Sequence, residues 1–195
     1  MTAQRTDTCC FTGHRPAKLP WGSDERDPRC LTLKRSILRE LERLYRMGYT
    51  HFISGMALGC DLYFAEAVLE LKEIYPPVTL EAALPFPEQA GRWSEDNRRR
   101  WQGIFDRCDK KTVVQDRYDR WCMLNRDRYM VDQSAAVLAV FDGSPGGTKY
   151  TLDCAAKQAL DIFLLDLNKP ETSAIHLSAE KAEKIENYSI FPVDK

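Results

Sequence analysis

Short apolar runs alternate with helix-patterned segments along most of the chain. The clearest run, AAVLAVFDG at 135–143, is apolar on consecutive positions. Similar runs predict further strands at 8–13, 51–54, 78–86, 111–115 and 161–167. Between them, apolar residues such as Leu33, Ile37, Leu41 and Leu44 recur at three- and four-residue spacing, which is typical of one helix face. This pattern predicts helices at 31–48, 60–75, 87–108, 121–134 and 146–160.

The repeated strand–helix order predicts an α/β domain built on a mostly parallel sheet of five to six strands. Strands that are apolar on consecutive residues are expected when helices cover both faces of the sheet, which gives three layers. We expect one domain over 1–195, with a core at about 7–167 and a polar, weakly patterned tail at 168–195. The Pro-rich segment 16–29 is predicted to be a loop.

Composition and charge limit the classes of binding partner that are expected. The chain has 195 residues, is 44% hydrophobic and carries a formal net charge of -1, so no overall field favours nucleic acid. Arg-rich stretches at 98–100 and 116–128 are interleaved with aspartates, which cancels most of their field. Nucleic acid is therefore not the expected partner. No apolar run approaches a membrane span and the start of the chain lacks an apolar signal core, so we expect a cytoplasmic protein.

The seven cysteines are spread along the chain without paired C-x-x-C spacing. Most lie inside apolar patterns, where cysteine acts as a small hydrophobic residue. We therefore expect free thiols in a reducing compartment and no metal site.

Glycine-containing turns follow three of the predicted strands. They are Thr12-Gly13-His14-Arg15, Ser54-Gly55 through Gly59-Cys60-Asp61, and Asp142-Gly143 through Gly146-Gly147-Thr148. In open α/β sheets, ligands bind beyond the carboxyl ends of the strands, where the chain changes direction across the sheet. We therefore expect these turns to meet at one edge.

The residue types in these turns suit a ligand that carries both phosphate and sugar. Glycine lets backbone N–H groups approach an anion, and a helix N-terminus adds free donors. Arg15 can make a forked bond to phosphate, and Asp61 and Asp142 can accept hydrogen bonds from ribose hydroxyls. Thr148 can cap its helix or donate to phosphate, and His14 can act as an acid–base group or orient the loop. The predicted ligand-binding residues are Gly13, His14, Arg15, Ser54, Gly55, Gly59, Asp61, Asp142, Gly146, Gly147 and Thr148.

Trp93 and Trp101 share one face of the predicted helix at 87–108. They can belong to an ordinary amphipathic helix, or Trp93 can form an aromatic wall for a base at the rim of the pocket. The sequence leaves both open.

The motifs CCFTGHRP, ISGMALGCD, RYMVDQS and VLAVFDGSPGGTKYT, in this order, resemble the YpsA-like family of the SLOG superfamily. The resemblance spans about Cys9 to Leu167 and implies a Rossmann-like fold with a nucleotide-type pocket. Relatives in the superfamily include the lonely-guy phosphoribohydrolases and DNA-processing protein A. It also implies a role for Arg126, Met130 and Asp132, whereas Asp127 stands where family members often carry Asn, so a ligand contact there is not expected. A homodimer is expected from relatives alone.

One departure bears on catalysis. The lonely-guy enzymes carry a Glu three residues after the Thr of their glycine motif, and this chain has Thr151 there. Thr cannot supply a carboxylate to an oxocarbenium-like transition state. We therefore expect binding or sensing of a nucleotide-derived ligand, with no other cofactor. Ribosyl-bond hydrolysis or transfer is the alternative, with catalytic candidates Asp61, Glu66 and Asp132, and binding of single-stranded DNA is the least favoured function.

Overall fold

The structure, a computed structural model, describes residues 6–178 and contains one sheet flanked by helices. The strands are β1 (Thr8–Thr12), β2 (His51–Ser54), β3 (Thr79–Leu84), β4 (Lys110–Val113), β5 (Ala136–Phe141), β6 (Asp161–Asp166) and β7 (Ile175–Leu177). The helices are α1 (Pro28–Arg46), α2 (Cys60–Ile74), α3 (Glu95–Asp106), α4 (Cys122–Asp132) and α5 (Gly147–Lys157). A short 3-10 turn at Pro16–Lys18 follows β1.

The sheet order is β4-β3-β2-β1-β5-β6-β7, and only the last pairing, β6 with β7, is antiparallel. The predicted α/β Rossmann-like class with a mostly parallel sheet is confirmed. The described residues contain seven strands rather than five to six, because β7 lies in the segment 168–195 that was predicted to be a polar, weakly patterned tail. Three residues with one histidine carry too little pattern to reveal a strand. The remainder of that tail, 179–195, lies outside the described residues.

Alternating side chains from the strands fill two hydrophobic layers. Cys9, Phe11 and Phe52 point to the layer under α1, α2 and α3. Cys10 and Ile53 point to the opposite layer under α4 and α5. Burial on both faces explains why these strands are apolar at consecutive positions.

Helix α1 begins earlier than predicted, inside the segment expected to be a loop. Asp27 is the N-cap, and its carboxylate accepts a hydrogen bond from the Arg29 N–H at 2.8 Å. Pro28 occupies the first helical position, where its missing N–H costs nothing. The same segment is anchored by Trp21, which is only 7% exposed and belongs to the core.

Helix α3 begins later than predicted. The Ser94 hydroxyl accepts from the Asn97 N–H at 3.4 Å, and Glu95 and Asp96 occupy the first turn. Acidic residues are favoured there because the helix N-terminus is partly positive. Residues 87–94 are therefore outside the helix.

A buried carboxylate, Glu81 of β3, is the centre of a polar network inside the protein. It accepts hydrogen bonds from His51 at 3.0 Å, from Thr112 at 2.7 Å and from Tyr129 at 2.7 Å, and it lies 3.0 Å from the Lys110 ammonium group. Burial alone raises the pKa of Glu81, but these donors outweigh burial and lower the pKa to about 2. The network therefore stabilises the fold only while Glu81 is ionised.

We expect Glu81→Gln to lower the free energy of unfolding by about 3 kcal/mol at pH 7, because it leaves the partners of a buried charge unsatisfied. A folded-state pKa below the ordinary value of 4.5 gives stability that is fully present above pH 4.5. That stability is lost as the pH falls from there towards 2, so the deficit of the variant should shrink over this range. Urea unfolding at several pH values measures it.

The matched control is Glu95→Gln. Glu95 forms an exposed ion pair with Arg99, and its loss should change the free energy of unfolding by less than about 0.5 kcal/mol at every pH. A deficit for Glu81→Gln that stays constant from pH 7 to pH 3 would contradict the role given to this carboxylate.

Candidate functional site

A cleft with a volume of about 510 Å³ opens at the carboxyl ends of β1 and β5. These neighbouring strands mark the point where the chain changes direction, since the order runs from β1 to β4 on one side and from β5 to β7 on the other. This is the position at which open α/β sheets bind ligands. Four segments line the cleft: the end of β1 with the loop after it, the turn that leads into α2, the helix α4 with the residues just before it, and the first turn of α5.

The loop after β1 forms one wall of the cleft through Gly13, His14, Arg15 and Lys18. The Arg15 side chain is exposed, and its guanidinium reaches the Met123 sulfur at 3.6 Å. This loop therefore brings a solvent-accessible cation, Arg15, to the cleft.

Gly146, Gly147 and Thr148 form the wall opposite, at the start of α5. Gly146 is the N-cap and has a φ of 147°, a backbone conformation that other residues rarely adopt. No side chain caps this helix. The Lys18 ammonium donates to the Pro145 carbonyl at 2.6 Å and so holds the loop after β1 against this turn.

Asp61 lies at the start of α2 and faces the cleft although it is almost completely buried. Its carboxylate accepts from the Ala57 N–H at 3.2 Å and lies 3.8 Å from the Arg126 guanidinium. Burial raises the pKa of Asp61 to about 6, against the opposing effect of Arg126. This acid therefore changes charge close to neutral pH.

Arg126 of α4 is the buried cation at the base of the cleft. It donates to Asp127 at 2.8 Å and to the Gly55 carbonyl. Burial favours the neutral guanidinium, but the carboxylates of Asp127 and Asp61 outweigh that effect and raise the pKa of Arg126. Asp127 also lines the cleft.

The model of the YpsA family, described as the YspA SLOG family, matches residues 9–169. The chain belongs to this SLOG family. A UPF0398 protein of Brevibacillus brevis is 29% identical over 171 residues, which are 85% of this chain and 90% of that protein. A UPF0398 protein of Bacillus thuringiensis is 30% identical over 151 residues, which are 75% of this chain and 81% of that protein.

Two solved structures share the fold of this SLOG protein. DNA processing protein A (DprA) from Streptococcus pneumoniae aligns with a TM-score of 0.55 at 14% identity, over 82% of this chain and 50% of that one. The corresponding protein from Helicobacter pylori, described for its single-stranded DNA binding mode, aligns with a TM-score of 0.54 at 16% identity, over 80% of this chain and 64% of that one. This SLOG chain therefore spans between half and about two thirds of these DprA chains.

Four of the predicted ligand-binding residues of the SLOG chain do not line the cleft. The Ser54 hydroxyl donates to the Asp61 carbonyl and accepts from the Met56 N–H. A side chain on Gly55 would overlap Arg126, and one on Gly59 would lie 2.7 Å from the His14 carbonyl. At these two glycines the close neighbour is thus the protein itself. The fourth residue, Asp142, binds His14.

Asp142 accepts from the His14 ring at 2.8 Å and from the Ser144 N–H at 2.8 Å. Burial raises its pKa, but the hydrogen bonds from Ser144 and the charge of His14 outweigh this and lower it. His14 is buried with its Nε2 on this carboxylate. The contact ties the first and third glycine turns together, which fits the orienting role that the sequence left open for His14.

Two of the three catalytic candidates lie away from the cleft. Asp132 is exposed at the end of α4, where it accepts from Gln158, on the amino-terminal side of the sheet. Glu66 makes a bidentate pair with Arg100 of α3 at 2.6 and 2.7 Å. Asp61 is the predicted candidate that lines the cleft, and Asp127 is a second carboxylate there.

Several residues of the cleft wall come from α4 and the segment before it and were not predicted. They are Arg120, Met123 and Leu124. Ligand-binding residues were expected directly after strands. The start of α4 is separated from the preceding strand, β4, by a longer connection. The Arg126 motif of the family resemblance pointed to this helix and was the available signal.

Trp93, which the sequence allowed as an aromatic wall, does not line the cleft, and neither does Trp101. Trp101 is buried in the core, and Trp93 packs against the same core before α3 begins. The amphipathic interpretation of that face is therefore the better one.

Within residues 6–178, no three His, Cys, Asp or Glu side chains group as metal ligands. Over the same residues, no helix has both the length and the apolar character needed to cross a bilayer.

We expect Gly55→Ala to destabilise the fold by about 1–3 kcal/mol, because the new methyl group would lie 2.5 Å from the Arg126 guanidinium carbon and 2.8 Å from an Asp61 oxygen. The matched control is Gly103→Ala in α3, where a Cβ meets open space. This control should be neutral or stabilising by up to about 1 kcal/mol.

A double-mutant cycle tests whether overlap with Arg126 causes the destabilisation by Gly55→Ala. Gly55→Ala should cost much less in an Arg126→Ala background, because the overlapping group is gone. Equal costs in the two backgrounds, measured by urea unfolding, would show that Arg126 does not require glycine at position 55.

Proposed function

We propose that this protein binds a nucleotide or nucleotide-derived ligand in the cleft, with its phosphate at the start of α5. The observation that carries the proposal is the uncapped Gly146-Gly147-Thr148 turn, whose helix N-terminus opens on the same cleft as Arg15, Lys18 and Arg120. Backbone N–H groups at a helix start and nearby guanidinium groups are the donors that phosphate prefers.

The carboxylates at the base of the cleft support a ligand that also carries hydroxyl groups. Asp61 and Asp127 lie around Arg126, which compensates their charge, and Asp127 also adjoins the α5 turn, 3.6 Å from a Cβ placed on Gly147. Carboxylates accept hydrogen bonds from sugar hydroxyls. A ribose phosphate unit offers both kinds of group. The cleft volume of about 510 Å³ is within the range of small-molecule sites.

Gly147→Ala provides a direct test. A Cβ at this position lies 3.6 Å from its nearest neighbour, Asp127, so the variant should fold normally while its methyl group obstructs the amides of the α5 turn. We expect its affinity for nucleoside monophosphates and ADP-ribose, measured by calorimetry, to fall at least about tenfold, the equivalent of one charge-assisted hydrogen bond.

The control is again Gly103→Ala, which should bind as the unmodified protein does. Wild-type affinity in Gly147→Ala would move the phosphate site elsewhere. Failure of the unmodified protein to bind any nucleotide of the panel would end the proposal.

A second candidate function, cleavage of a ribosyl bond, is favoured by Asp61. An acid with a pKa of about 6 keeps a fraction of its protons near neutral pH and can protonate a leaving group. Thr151, in the position of the lonely-guy glutamate, does not substitute for it, since its hydroxyl donates to the Gly147 carbonyl at 3.0 Å.

We expect Asp61→Asn to abolish release of free base from nucleoside monophosphates, assayed by chromatography, if the protein is such an enzyme. The amide keeps the shape of the side chain but cannot deliver the proton. A flat time course with the unmodified protein would exclude this activity and leave the binding proposal intact.

Single-stranded DNA belongs in the same titration panel because the Helicobacter pylori DprA structure is described as binding it. The formal net charge of -1 on this chain supports a small ligand instead. Binding to an oligonucleotide that exceeds mononucleotide binding and falls steeply with salt would reverse that preference.

A further inference from the structure

Two exposed aromatic residues lie in the segment between β4 and α4, close in sequence to Arg120, which lines the cleft. Tyr118 is 69% exposed and Trp121 is 51% exposed. By contrast, Trp21 and Trp101 are buried in the core. Rings of this size usually lose most of their surface to packing, so an exposed pair beside a cleft marks a surface for contact.

Each of the two rings makes a contact on the protein surface that restrains it. The Arg120 guanidinium lies over the Trp121 ring, 4.7 Å from its centroid. Tyr118 packs edge-on against Phe86 with ring centroids 5.4 Å apart. The backbone N–H of Trp121 donates to the Asp119 carboxylate at 2.8 Å, which stabilises the turn that carries these residues. A platform that is already ordered loses little conformational entropy when a ligand stacks on it.

Arg120 connects the platform to the proposed phosphate site. It stacks on Trp121 and also lines the cleft, together with Met123 and Leu124 at the start of α4. Arg15, on the opposite wall, reaches Met123. A molecule lying in the cleft towards α4 would therefore extend over Arg120 and Trp121.

Resting on the proposed function, we propose that Tyr118, Arg120 and Trp121 form a stacking platform that selects ligands carrying a nucleobase over sugar phosphates without one. Aromatic faces and guanidinium planes stack on any base. The phosphate would lie at the start of α5 and the base would lie on the platform.

The charges of this segment favour a mononucleotide over a nucleic-acid strand. Asp116 and Asp119 balance Arg117 and Arg120, so the platform has no excess positive charge to follow a phosphate backbone. The base is then the part of the ligand that this surface recognises.

The experiment compares AMP, GMP, CMP and UMP with ribose 5-phosphate, using calorimetry and tryptophan fluorescence on the full chain. We expect the nucleotides to bind more tightly and to quench fluorescence, because the exposed Trp121 is the tryptophan at the cleft rim. Trp121→Ala should weaken nucleotide binding about tenfold and leave ribose 5-phosphate unchanged. Gly147→Ala should weaken both kinds of ligand.

Trp121→Phe is the conservative control. It keeps a stacking face, so nucleotide affinity should remain within about twofold of the unmodified protein while the quenching disappears. Unchanged thermal unfolding of both variants excludes a folding defect.

The outcomes separate the two proposals. Equal binding of nucleotides and ribose 5-phosphate, with no effect of Trp121→Ala, would overturn the platform and leave the phosphate site standing. No binding of either kind of ligand would overturn both.

Discussion

The position of Arg126 organises the candidate site, because its guanidinium lies inside the protein with carboxylates on two sides. Asp127 and Asp61 compensate its charge, and the Gly55 carbonyl accepts a hydrogen bond from it. A buried cation without such partners would be strongly destabilising. The turn after β2, the start of α2 and the helix α4 are therefore held together by one charge.

The remaining contacts at this edge of the sheet are largely made by the main chain. The Cys60 N–H donates to the His14 carbonyl at 3.1 Å, and Gly59 brings its backbone against the same loop. Gly13 packs against Cys60 so closely that an added Cβ would lie 2.5 Å away. Glycines at the first two turns thus allow segments of the protein to approach one another, whereas those at the start of α5 leave the helix N-terminus accessible from the cleft.

Sequence patterning predicted the α/β class, the six longer strands and the five helices, because burial on both faces of a parallel sheet produces long apolar runs. It also predicted that three glycine turns would meet at one edge. It could not show that Gly55 packs against Arg126 whereas Gly147 lines the cleft. Glycine is required equally when a protein side chain or a ligand comes close to the backbone. The helix start at Ser94 was missed, because the spacing of Trp93 and Trp101 extended the predicted helix towards its N-terminus. The partners of Arg126 and the short β7 depend on tertiary contacts that leave no local pattern.

The close packing of Gly13 against Cys60 has a consequence for how the cleft can adapt. On the α2 side, its boundary is set by Gly13, Ala57 and the nearly buried Asp61, which have little freedom to change rotamer. On the α4 side, the boundary includes long side chains such as Arg120 and Met123, which have several low-energy conformations. Ligands of different size would therefore be accommodated by side-chain movement on the α4 side alone. The α2 side would stay fixed and set the orientation of the ligand.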